Sequence, residues 1–156
     1  MNLKRYRFLL FSLLFSLCSF AFAQTAAEMD AMLEADSVSA AAAARFVLAS
    51  ADLLPAELTG AEAEKAAYDM AYSKGWIKKA PEESVTLKDT AFLVMKAFDL
   101  KGGIMYSLLK NPRYAFREMV YRKLIQGIPD PDMKVTGARL IQVISNTSSY
   151  SDEGNQ

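Results

Sequence analysis

A short pattern recurs three times in this chain at nearly even spacing, and it restricts the fold to a set of like helical units. Ser37-Val38-Ser39 precedes an apolar run that closes on Asp52-Leu53. Ser84-Val85-Thr86 stands 47 residues later and precedes a run closing on Asp99-Leu100. Val135-Thr136 follows after a further 50 and leads through Leu140-Ile141 to Val143-Ile144. A period of this size marks supersecondary units that bury their apolar faces against one another.

The pattern holds register by register. Leu87, Ala91, Val94, Met95 and Phe98 make one helical face. Moved back by 47, that face reads Ala40, Ala44, Val47, Leu48 and Ala51. Moved forward by 50, it reads Gly137, Ile141, Ile144, Ser145 and Ser148, so it decays, although Leu140 and Val143 widen it. A preceding helix repeats as well: Tyr68, Ala71, Tyr72, Trp76 and Ile77 shift by 48 onto Phe116, Met119, Val120, Leu124 and Ile125. The extra spacing before Val135 falls in a loop.

Local signals divide the chain into helices. Glu28 follows Thr25 as in a capping box. Ser39 caps a helix opening on five alanines, residues 40–44, a surface suited to close approach by a neighbour. Leu54-Pro55 ends it, and Gly75 is placed to end the next helix, over about 61–74, in a left-handed turn. Thr86 caps a fourth helix with Asp89 at its N3 position. Gly102-Gly103 is a break, Asn111-Pro112 stops one helix and starts another, and Thr136 caps the last, to about Asn146. The polar stretch 147–156 is expected to be a disordered tail.

The first 23 residues read as an export leader. Lys4, Arg5 and Arg7 precede the apolar run Phe8–Phe20, and Ala21-Phe22-Ala23 supplies small residues for cleavage before Gln24. The rival is lipid attachment at Cys18, where Phe15-Ser16-Leu17-Cys18 loosely follows a lipobox. The expected setting is the periplasm or cell envelope. Of the chain's 18 basic and 18 acidic residues, three basic ones belong to the leader, so the remainder is mildly acidic. That balance, with no basic block, argues against nucleic acid as a partner. Cys18 is the sole cysteine, and the chain has no histidine, which removes the commonest general base and zinc ligand.

Alternating first helices, a Gly75-Trp76-Ile77 or Leu124-Ile125 segment, a loop with Pro81 or Pro129, and Val-Thr opening a second helix resemble the S-layer homology repeat. Residues 67–100 and 115–146 carry the resemblance best, and 26–53 more weakly. It implies an all-α fold of three degenerate helix–loop–helix units, about 25–54, 61–100 and 104–146, in one compact domain over 24–146. It also implies envelope glycan as ligand. That family's second helices open Thr-Arg-Ala-Glu, with the arginine on the glycan. Here the openings are Ser39-Ala40-Ala41-Ala42, Thr86-Leu87-Lys88-Asp89 and Thr136-Gly137-Ala138-Arg139. The stretch from Leu100-Lys101-Gly102-Gly103 to Ala115, with Ile125-Gln126-Gly127, is also similar to exported proteins of spirochaetes.

The expected function is non-catalytic binding or scaffolding in the cell envelope. The partner is an envelope glycan or, alternatively, a periplasmic or outer-membrane protein of a larger assembly; membrane association would be peripheral or through a lipid on Cys18. No catalytic set, cofactor or metal site is expected: Asp130 and Asp132 sit between prolines without the glycine and final glutamate of an EF-hand loop. Candidate binding residues are Trp76, a stacking platform beside lysines, and Lys88 and Arg139 at helix openings. The strongest patch is aromatic and basic: Tyr106, then Arg113, Arg117 and Tyr121, the last three spaced by four on one helix face.

Overall fold

Side-chain caps set the helix starts. In the computed structural model, which describes residues 26–154, Ser39 Oγ accepts from the Ala42 N–H and opens α2, Ala40–Ser50. The Asp89 carboxylate accepts from both the backbone N–H and the hydroxyl of Thr86, at 3.1 and 2.6 Å, and opens α4, Leu87–Ala97. Asn111 caps α6, Pro112–Tyr121, with Pro112 at its first position. Thr136 Oγ1 accepts from Arg139 N–H at the start of α7, Gly137–Gly154. Helical residues 26–34 form α1, and α3 (Gly60–Ser73) and α5 (Ile104–Leu109) complete the set. The protein is all-α, with no strand among the described residues. The leader, Cys18 and Thr25 lie outside those residues.

The three valines of the repeated pattern meet. Val38 N–H donates to the Val135 carbonyl (2.9 Å), Val135 N–H to Val85 (3.2 Å) and Val85 N–H to Val38 (2.9 Å), closing a ring. The next donors close a second ring in the opposite sense: Ala40 N–H reaches Glu83, Leu87 reaches Met133 and Gly137 reaches Ala35. Around them Ser39 with Ser84 and Thr86 with Lys134 form isolated antiparallel bridges, which build no sheet. All three valines are buried to within 2%.

Behind the ring, α2, α4 and α7 pack on one another, α3 covers α2 and α6 covers α4. The buried face of α3 is Ala63, Ala67 and Ala71, against an α2 whose buried positions include Ala40, Ala41, Ala43 and Ala44. Two alanine faces let these backbones approach closely, as the sequence leads one to expect. The central helix α4 is buried on nearly every side, and Leu93, Val94 and Met95 anchor the core.

Helix ends also recur. Gly75 and Lys123 both turn left-handed (φ 68° and 60°), so that Trp76 N–H bonds to Ala71 and Leu124 N–H to Met119. Asp52 and Asp99 do the same after α2 and α4, at φ 54° and 48°.

One expectation needs correction: the chain does not become a disordered tail at Thr147. Helix α7 continues to Gly154, and Thr147 is fully buried with its hydroxyl donated to the Val143 carbonyl at 2.8 Å. Ser149 likewise bonds back to Ser145. Hydroxyls satisfied by the preceding turn are compatible with helix, which composition alone conceals. The inward face is Leu140, Val143, Ile144 and Thr147, whereas Ser145 is exposed.

Candidate functional site

The seven sequence-selected residues separate into an engaged set and an open set. Trp76 is half-buried where α3 ends, with the Lys74 ammonium 5.2 Å from its ring centroid. The hollow it lines with Lys79, Val85, Asp89 and Phe92 holds about 60 Å³. Ligand pockets run to about 300 Å³ and more, so this is a packing gap. Lys88 bonds to Asp132 and ties the opening of α4 to the loop before α7. That hydrogen bond, reinforced by the carboxylate's charge, raises the Lys88 pKa above the ordinary lysine value. Arg139 clamps the same loop from its other end, donating to the carbonyls of Gln126 (2.6 Å) and Ile128 (3.1 Å). These three side chains already serve the fold.

Tyr106 of α5 lies with Arg117 and Tyr121 of α6, while Arg113, on the first turn of α6, lines neither of the clefts there. The two helices pack against each other, and their junction is pinned by Glu118. Its carboxylate accepts from Arg122 Nε at 2.8 Å and from the Gly103 N–H at 3.0 Å. Arg122 also bonds to the Lys101 carbonyl and reaches the Tyr150 hydroxyl at 3.2 Å. The break before α5 is thereby tied to α6 and to the far end of α7.

The resulting cleft of about 330 Å³ is lined by Tyr106, Tyr114, Arg117 and Tyr121, with Ile104, Met105 and Glu118 beside them. A second cleft of about 260 Å³ lies across Tyr106, between Lys96, Asp99, Lys101 and Lys110. Tyr106 is the wall between the two. Burial, and secondarily the Asp99 charge, raises its pKa, so its hydroxyl stays protonated and can donate. Arg113 and Arg117 are exposed and, among the described residues, pair with no carboxylate. Chemically the cleft offers aromatic faces and a free guanidinium, a set that suits an anionic ligand with flat apolar surfaces.

Sequence reading missed the apolar side of this site. Ile104 and Leu108 are 80% and 74% exposed, and Met105 and Leu109 are about half exposed. The signal was available: a six-residue helix with four large aliphatics cannot turn them all inward, and Tyr106 takes the buried position. Among the described residues no group of histidine, cysteine or carboxylate side chains could hold a metal ion, and no helix is long and apolar enough to cross a membrane.

Compared with protein-family models, curated proteins and solved structures, the chain matches none.

Proposed function

We propose that this is a non-catalytic binding or scaffolding protein of the cell envelope, exported with cleavage near Ala23 and built from three degenerate units like the S-layer homology repeat. The closed ring of hydrogen bonds among Val38, Val85 and Val135 carries the reading, because each repeated segment donates to one neighbour and accepts from the other. The matching left-handed helix ends at Gly75 and Lys123, and at Asp52 and Asp99, support the same units. Such a scaffold leaves its surface free for contact with an envelope partner.

The contact surface is the α5–α6 cleft and not the hollow at Trp76. Tyr114 and Tyr121 present aromatic faces to sugar rings, Arg117 offers a bidentate cation to an acidic sugar, and the cleft is about five times the volume of that hollow. The ligand is therefore an anionic envelope glycan. Sedimentation with purified envelope polysaccharide tests this. Arg117→Ala and Tyr121→Ala each weaken binding by about tenfold with an unchanged far-ultraviolet spectrum, the loss of one good contact. Full binding by both variants places the contact elsewhere. No binding by the wild-type protein, with a defined periplasmic protein recovered beside it, makes it a subunit of a protein assembly instead.

A further inference from the structure

Helix α5 leaves the body of the domain with its aliphatic side chains outward. Ile104 and Leu108 are 80% and 74% exposed, and Met105 and Leu109 widen the apolar edge. The surrounding charge is uneven. Residues 100–123 hold six of the chain's 18 basic residues and one of its 18 acidic ones, Glu118, which Arg122 neutralises. Lys101 and Lys110 bracket α5, and Arg117 shares a cleft with Ile104 and Met105. Asp99 is the other carboxylate lining the two clefts.

We infer that α5 docks the domain on an anionic lipid surface, its aliphatic edge entering the headgroup–acyl boundary and its flanking cations meeting lipid phosphates. This rests on the α5–α6 face being the binding surface, though not on glycan recognition. An apolar projection ringed by cations is the arrangement by which peripheral helices hold a leaflet. The alternatives fit the charges less well. A second copy seated on this edge would set one net positive segment against another. A polysaccharide supplies anions but no apolar phase for Ile104 and Leu108. The short helix could not span a bilayer, so the attachment is peripheral and reversible.

Vesicle co-sedimentation tests the inference with the purified protein, using phosphatidylcholine alone or mixed with phosphatidylglycerol. The protein binds the mixed vesicles, far less the neutral ones, and is released as salt rises. Leu108→Ser with Leu109→Ser, at positions outside the glycan cleft, weakens vesicle binding by at least about tenfold, while Lys110→Gln weakens it about fivefold. Neither change alters folding, because all three side chains are exposed, and neither lowers polysaccharide sedimentation. Lipid docking and glycan binding can thus fail separately. Indifference to phosphatidylglycerol, or unchanged vesicle binding by the double variant, overturns the inference. So does a wild-type dimer that the double variant dissolves, or an acidic protein that binds α5 while vesicles do not.

Discussion

The valine ring and the α5 edge treat apolar side chains in opposite ways. At the ring, Val38, Val85 and Val135 are buried, and their N–H groups are all spent on one another's carbonyls. At the edge, α5 buries Tyr106 and leaves Ile104 and Leu108 in solvent. Burial of a valine or leucine side chain is worth about 1.5–3 kcal/mol, so the first region holds the fold and the second contributes little to it. A domain that satisfies its centre internally and leaves a cation-flanked apolar edge uncovered has separated stability from contact. Substitutions on the two sides should then give separable effects.

The largest effect is expected where the ring meets α1. A Cβ on Gly137 would lie 1.5 Å from the Met32 carbonyl oxygen, a backbone atom that cannot swing aside. The same glycine's N–H bonds to the Ala35 carbonyl at 2.8 Å. Gly137→Ala should cost about 4 kcal/mol, the exceptional end for a single substitution, read from urea unfolding. A loss below about 1 kcal/mol would mean that residues 26–34 do not pack there.

Val85→Ala comes next. Val85 is 1% exposed at the centre of the ring. Removing its two methyl groups should cost about 2 kcal/mol through lost burial and the cavity left behind. The backbone bonds to Val38 and Val135 survive the change, so the far-ultraviolet spectrum should hold while the unfolding midpoint falls.

This contrast was half legible in the sequence. Caps at Ser39, Thr86, Asn111 and Thr136 are local chemistry, and the structure has a helix start at each. The alanine run and the face through Leu87, Ala91, Val94 and Met95 depend on periodicity alone, and they too are buried, apart from the half-buried Ala42. The remainder depends on neighbours that periodicity does not name. Gly137 looked like a decaying face, but it is the point where the Met32 backbone approaches. Thr147 looked like tail because hydroxyls read as polar, although a helix turn satisfies them. Lys88 and Arg139 looked available until the loop at 126–132 took their donors. The aromatic–basic strip on α5 and α6 was visible as a pattern, but not the exposure of Ile104 and Leu108 beside it.

Two smaller effects probe the margin between the regions. Asp89→Ala removes the carboxylate that accepts from the Thr86 N–H and hydroxyl, and should cost about 1 kcal/mol. Tyr106 responds to pH. Its folded pKa is raised above the ordinary 10.0, first by burial and then by Asp99, while the unfolded chain keeps the ordinary value. Its contribution is therefore complete below pH 10 and is lost as pH rises through the folded value. Tyr106→Phe should match the wild-type protein at neutral pH and flatten the alkaline decline in stability. An unchanged decline would assign it to other groups.

The smallest expected change is the sharpest test of the separation. Leu108 is larger than Val85, and truncating it removes more apolar surface. Because it is 74% exposed, most of that surface is in water in both folded and unfolded states. Leu108→Ala should therefore move stability by no more than about 0.5 kcal/mol, the range for exposed positions. Its substitution by alanine, the best helix former, offsets even part of that. A loss near 2 kcal/mol in the isolated protein would show α5 folded back onto the domain, and the edge would then belong to the core.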